Sequence, residues 1–351
     1  MSPTARAGMA MAALMTAIAM SSAAPNEAEP RRVIIEAADG LKEIRNLPLI
    51  LAERLGYFTD EGILVTLIDA RLDMPRHGDP LAAGKVDGIV EYYQHVFFVR
   101  GEGVPVESVV VMGITPNLTL LVANRLKDQV KTLADLRGKK IIIGHTNRSG
   151  KSMVGCWLPL RGGVAASEFT PVRLTEEDND RVEQRRRVAD ALANGGADLV
   201  IAQEPDAGIY QASGVASVFA DVTSVEETKK NLGTLFPSTA LYMTNSYVKA
   251  HPDVVQHLVN ALVRTLKYIN SHTPDELMAL VPKQFMGPDT ATYARSFRHE
   301  VQMFATDGLM PDEAARKTQE IMANVMPEYR AVDLGATYTN EFARAALKNV
   351  R

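Results

Sequence analysis

Residues Asn46–Ala70 read NLPLILAERLGYFTDEGILVTLIDA, and this stretch decides the fold class. Leu47, Leu49, Ile50, Leu51 and Leu55 form an apolar run with a period near four, which is one face of a helix. Gly56 stops it. Tyr57-Phe58, an acidic turn closed by Gly62 and the alternating segment Ile63–Ile68 follow. Helix, stop, turn and strand in that order are half of an α/β crossover.

The same alternation runs outward in both directions. Arg32–Ala38 reads as a strand, broken at Asp39-Gly40. Leu81–Lys85 is a short helix, Val86–Val90 a strand, Val96–Glu102 a helix and Val106–Met112 a strand. Thr132 caps a short helix, with Asp135 three residues on and Gly138 at its end. Further strands fall at Leu118–Asn124, Lys139–Gly144, Val172–Leu174, Asp198–Ala202, Ser217–Ala220 and Thr239–Thr244. From Pro252 onward the chain reads as helix. Val255, Leu258, Val259, Leu262, Leu266 and Ile269 make one packing stripe. Later helices start near Asp289 and at Pro311, and the last ends at Lys348. Strands alternating with helices predict mainly parallel sheets.

The 351 residues are 46% hydrophobic, enough for one large or two medium domains. A net charge of -4, from 38 basic and 42 acidic residues, argues against nucleic acid as a partner. Arg185-Arg186-Arg187 sits among Glu176, Glu177, Asp178, Asp180 and Glu183, the pattern of a solvated, self-paired helix face. Residues 1–23 read as a signal peptide: Arg6, the uncharged run Ala7–Met20, then Ser21-Ser22-Ala23. Residues 24–31 read as a flexible leader. The only cysteine, Cys156, stands beside Trp157 on an apolar stretch and reads as a core residue. The histidines show no H-x-H or H-E-x-x-H spacing, and no metal or cofactor is expected.

Four segments carry a resemblance. GYF…EGILV at Gly56–Val65, KTLADLRGKKIIIG at Lys131–Gly144, ANGGADLVIAQEPDAGIYQASG at Ala193–Gly214 and YVKAHPDVVQHLVNALVRTL at Tyr247–Leu266 occur in order. Together they resemble the solute-binding proteins of ABC importers of the nitrate/sulfonate/taurine and thiamine-pyrimidine-precursor type. The resemblance implies an α/β chain with a type II periplasmic-binding-protein fold, two Rossmann-like lobes joined by a two-crossing hinge. Lobe I would be residues 32–117 plus 240–351, and lobe II residues 118–239. The chain would cross between lobes at Leu118–Asn124 and return at Thr239–Thr244. It further implies a periplasmic monomer, exported and not lipid-anchored, that hands a small-molecule solute to ABC permease transmembrane subunits.

Ligands of such sheets bind at the carboxyl ends of strands and at helix N-termini. The loop Gly144–Ser152, GHTNRSGKS, looks like a phosphate loop but is one residue too long. It still offers N–H groups and hydroxyls at a helix start. In the resembled family the matching loop touches ligand, which implicates Thr146, Asn147, Arg148, Ser149 and Ser152. In the loop after the first strand, Lys42 and Arg45 add positive potential, and Leu41 or Asn46 lines the pocket. Glu91, Tyr92, Tyr93 and His95 cluster at another strand end, where tyrosine can stack on a planar group and hydrogen-bond to it. Glu204, before Pro205, either binds a ligand donor or caps the next helix.

Two functions stand open. In the first, the lobes close on a small organic anion, a sulfonate or carboxylate with room for an aromatic or amino-bearing part, without chemistry; a pyrimidine precursor of thiamine is the alternative ligand. In the second, the same fold serves an enzyme of pyrimidine-precursor synthesis or a dehydratase. The pyrimidine synthases resembled need a cysteine-rich segment that is absent here, and the export signal argues against a biosynthetic role. Binding without catalysis is therefore the expectation.

Overall fold

The computed structural model describes residues 31–38, 40–69, 78–174 and 181–349. The expected signal peptide and the acidic residues at 176–180 lie outside them. Among the described residues ten strands form two five-stranded sheets. β1 (Arg31–Ala37), β2 (Ile63–Asp69), β3 (Gly88–Tyr92), β4 (Val106–Val111) and β10 (Thr239–Thr244) build the first, in the order β2-β1-β3-β10-β4. β5 (Thr119–Ala123), β6 (Lys140–Ile142), β7 (Thr170–Val172), β8 (Leu199–Ala202) and β9 (Ala216–Asp221) build the second, in the order β7-β6-β8-β5-β9.

The two sheets share one design. Each has a single strand running against the others, in the fourth position: β10 in the first and β5 in the second. These are the strands that follow the two passages between sheets. Residues 112–118 lead from β4 into β5, and residues 222–238 lead from β9 into β10. The crossings therefore precede the strands expected to make them, and β5 and β10 are integral sheet members.

Side-chain alternation explains why these segments are strands buried on both faces. In β5, Leu120 and Val122 face one apolar cluster and Leu121 and Ala123 another. In β10, Ala240 and Tyr242 face the first cluster, and Leu241 and Met243 a third. The first cluster is continuous from one sheet to the other, through Phe236 and through Met310, Ala315, Ile321 and Met322 of the C-terminal region. The helix Asp312–Val325 reaches across to the helix Gly150–Arg161 of the second sheet. Helix Pro252–Ser271 buries the expected stripe against the outer face of the first sheet.

Local chemistry sets the ends. Gly56 ends the opening helix, Leu47–Arg54, at φ 74°, where a side chain would be strained. Thr132 and Asp135 form the expected capping box, over a 3-10 turn at Leu133–Leu136 and not an α-helix. Pro311 takes the N-cap position and not the first helical one. Among the described residues no helix is long and apolar enough to cross a membrane.

Candidate functional site

The loops at the carboxyl ends of β1, β6 and β8 converge on one cavity of about 310 Å³. Glu43, Ile44 and Arg45 follow β1; His145 and Lys151 follow β6; Gln203, Glu204 and Asp206 follow β8. Arg181 and Gln184 from the helix Arg181–Asn194, Asn117 from the first crossing and Glu300 from the helix Thr290–Glu300 complete it. Parallel strands end here with helix N-termini beside them, which is where such sheets bind ligands.

The wall mixes charges. Arg45 is buried and holds Glu91 at 3.1 Å while donating to the Ala38 carbonyl at 3.1 Å. Its guanidinium also lies 5.0 Å from the Tyr92 ring centroid. The Tyr92 hydroxyl accepts from Gln203 Nε2 at 2.9 Å and donates to the Pro116 carbonyl at 3.2 Å, so it bridges the two sheets. Burial, followed by repulsion from Glu43 and Glu204, pushes the Glu300 carboxyl well above its usual range. Arg185 pairs with Asp206 at 2.5 Å. Gln94 is fully buried with neither amide atom hydrogen-bonded, and its Nε2 would stand 3.6 Å from a Cβ placed on Gly150.

The sequence candidates divide. Glu204 lines this cavity, and Lys42 lines its neighbour described below. Glu91 and Tyr92 stand behind the wall, as partners of Arg45 and Gln203. Tyr93, expected at the pocket, is fully exhausted by the core: its hydroxyl meets Thr337 Oγ1 at 2.5 Å and its ring packs on Phe97. His95 is buried with its ring 5.2 Å from that of Phe98. Asn46 is fully buried and donates to the Gly40 carbonyl at 2.9 Å, shaping the loop after β1. Leu41 packs against the outer apolar cluster.

The loop after β6 departs most from expectation. Arg148 turns away to Glu102 at 2.6 Å and stacks 4.5 Å over Phe98, so its charge is matched by the helix Gln94–Gly101 and its C-cap. Asn147 bonds to Arg173. Ser149 caps the helix by accepting from Ser152 N at 3.2 Å and donates to the Thr146 carbonyl at 3.2 Å. Buried Ser152 donates to the Ile143 carbonyl at 3.1 Å. Both hydroxyls thus fold the loop. Lys151 is the cation of this loop that reaches the cavity.

Lys151 belongs to the expected anion cradle at the helix start but was not among the expected ligand residues, and sequence reading did not single out Gln203, Arg181 or Glu300. Gln203 and Lys151 each adjoin a residue that it did name. Arg181 and Glu300 carried no local signal. The arginine run also splits: Arg186 and Arg187 pair with Glu183 as expected of a solvated face, but Arg185 turns to the cavity side. Cys156 is half-buried on the Gly150–Arg161 helix, and burial pushes its thiol up to about 11. Among the described residues no group of three or more His, Cys, Asp or Glu is placed to hold a metal ion.

Two sheets of this topology with a cleft at their strand ends define the type II periplasmic-binding-protein fold. Residues 44–276 match the family model described as NMT1/THI5 like, and the chain belongs to that family. A structure from Bordetella bronchiseptica RB50 superposes with a TM-score of 0.68 at 25% identity, covering 92% of this chain and 98% of that one. The periplasmic aliphatic sulphonate binding protein SsuA from Escherichia coli gives 0.66 at 16% identity, covering 90% and 99%. The desulfurization enzyme DSZB gives 0.60 at 16% identity, covering 92% and 100%. In sequence, the 4-amino-5-hydroxymethyl-2-methylpyrimidine phosphate synthase of Aspergillus parasiticus is 26% identical over 229 residues, 63% of this chain. This chain spans 62% of that relative's length.

Proposed function

We propose that this chain is an extracytoplasmic solute-binding protein that captures a small organic anion carrying an amino or other donor group and passes it to an ABC permease. The observation that carries the reading is the inner cavity itself, where Lys151 and Arg181 share a wall with Glu43 and Glu204. Opposite charges at fixed positions suit a ligand that carries both kinds of group. The anion seat moves accordingly from Arg148 to Lys151 and Arg181, beside the start of the Gly150–Arg161 helix, whose dipole adds to it. In this reading the lobes are 32–117 with 240–351, and 118–239. They act as a monomer in the periplasm, after export through residues 1–23, and close about the two crossings.

A pyrimidine precursor is the second ligand reading, favoured by the kinship with a pyrimidine phosphate synthase. Calorimetry separates the two readings, with a panel of aminosulfonates, amino carboxylates and aminopyrimidines. Mass spectrometry of the recovered ligand reports turnover. Binding of an amino-bearing anion that is recovered unchanged supports the proposal. A converted ligand, or binding of cations alone, defeats it.

A further inference from the structure

We infer that the cleft accepts a solute with an apolar or aromatic tail, the tail lying in a second compartment walled by Phe285, Met286, Pro288 and Tyr293; this rests on the binding reading above. The second cavity measures about 320 Å³. It adjoins the inner one across Glu43, Ile44, Arg181, Glu204 and Glu300, which line both. The inner cavity has a single apolar side chain, Ile44. The outer one adds Ile209 from the helix Asp206–Ala212 to the four residues of the C-terminal wall, so apolar surfaces face each other from both sides. Tyr293 is backed by Phe297, whose ring centroid lies 6.0 Å away and which is fully buried.

Size points the same way. The inner cavity sits at the lower edge of the ~300–1,000 Å³ that ligand sites occupy, enough for a polar head of few atoms. The outer compartment offers as much room again; Lys42, Arg185 and Asp289 also line it, but it adds Pro205, Ile209, Phe285, Met286, Pro288 and Tyr293 where the inner cavity has Ile44 alone. An extended solute with a charged amino-bearing head and a hydrocarbon or ring tail matches that gradient. Phe285, Met286, Pro288 and Tyr293 lie beyond the family-matched residues 44–276, and Ile209 on the facing wall lies within them.

The test uses two probes with one head: taurine and N-cyclohexyltaurine, titrated by calorimetry into the full chain. Burying about a third to a half of the ring's apolar surface should make the cyclohexyl probe about 10–100-fold tighter. In a Phe285→Ala/Tyr293→Ala variant the ratio of the two affinities should fall towards one. Ile209→Ala should lower the ratio from the opposite wall. Lys151→Ala should weaken both probes and keep the ratio. Equal affinities in the parent, or a ratio that the double variant leaves intact, overturn the tail compartment and leave the head reading standing. If neither probe binds, the aminosulfonate head is wrong, and saturation-transfer NMR with cyclohexanol reads the compartment alone. A signal lost in the double variant then supports it, and an unchanged signal overturns it.

Discussion

Arg148 Nη2 lies 2.6 Å from Glu102 Oε1, so a loop of the second sheet is fastened to a helix cap of the first. Glu102 is mostly buried and its second oxygen has no hydrogen-bond partner, so it depends on this one cation. Removing Arg148 would leave a buried carboxylate uncompensated and strip the cover from Phe98. Arg148→Ala should cost about 1–3 kcal/mol in urea unfolding. The double variant with Glu102→Ala should cost less than the two single variants together, by about 1 kcal/mol. Strict additivity would show that the pair is incidental.

Glu300 is the acid most strained by its surroundings. Burial comes first, then Glu43 and Glu204, and all three favour the protonated form. The folded value stands above the ordinary 4.5, so the group's contribution is full below that pH and is lost as pH rises through the folded value. Glu300→Gln keeps the shape without the ionisable proton. It should raise Tm at pH 7 by about 2 °C or more and give no gain at pH 4. A loss of stability at pH 7 would mean that the ionised carboxylate is needed in the fold.

His299 forms a second link across the cleft. Its Nε2 is 3.1 Å from Asp221 Oδ2, and its Nδ1 is 3.6 Å from Glu204 Oε1, beyond hydrogen-bonding reach. The bond to Asp221 lifts the imidazole against the effect of burial, and Glu204 adds to the lift. For Asp221, burial pushes upward, but the bonds from His299 and Thr223 outweigh it and lower the carboxyl. The raised histidine stabilises fully below its ordinary 6.5 and fades as pH rises through its folded value. The lowered aspartate stabilises above its ordinary 3.8 and fades as pH falls. The link should therefore be strongest between about pH 4 and 6.5. His299→Ala should cost about 1 kcal/mol more at pH 5.5 than at pH 8.5. An equal cost at both would remove the charged pair from the account.

The central strands were legible because they are short apolar runs buried on both faces, as in Gly88–Tyr92 and Thr119–Ala123, and Thr239–Thr244 is observed at the expected bounds. The loops that hold the cleft were legible for the same reason: they start where strands end. Which side chain enters the cleft was not. Arg148 and Lys151 are three residues apart, and only the turn of the loop sends one to Glu102 and the other to the cavity. Tyr92 ends its strand and Tyr93 caps the next helix, and the backbone turn between them sends Tyr92 to Gln203 behind the cavity wall and Tyr93 to Thr337 in the core. Glu300 and Phe285 come from the C-terminal helical region, and no local pattern links them to the loops at Glu43 and Glu204, far earlier in the chain.

Gly150 gives the most direct test of closure. It opens the Gly150–Arg161 helix, and a Cβ there would meet Tyr92 Cε1 at 3.5 Å and Gln94 Nε2 at 3.6 Å, ordinary van der Waals contact. Gly150→Ala therefore fits without strain. A Cβ already touches Tyr92 and Gln94 on the side of the first sheet, so the bulkier Gly150→Leu should act as a wedge between the two sheets. The wedge variant should scatter X-rays with a larger radius of gyration than the alanine variant. On the binding reading it should also bind the solute at least about tenfold more weakly, because residues of both sheets line the cavity and the wedge would hold them apart. Equal radii and equal affinities for the leucine and alanine variants would show that the two sheets need not approach here for binding, and the closing motion would have to be placed elsewhere.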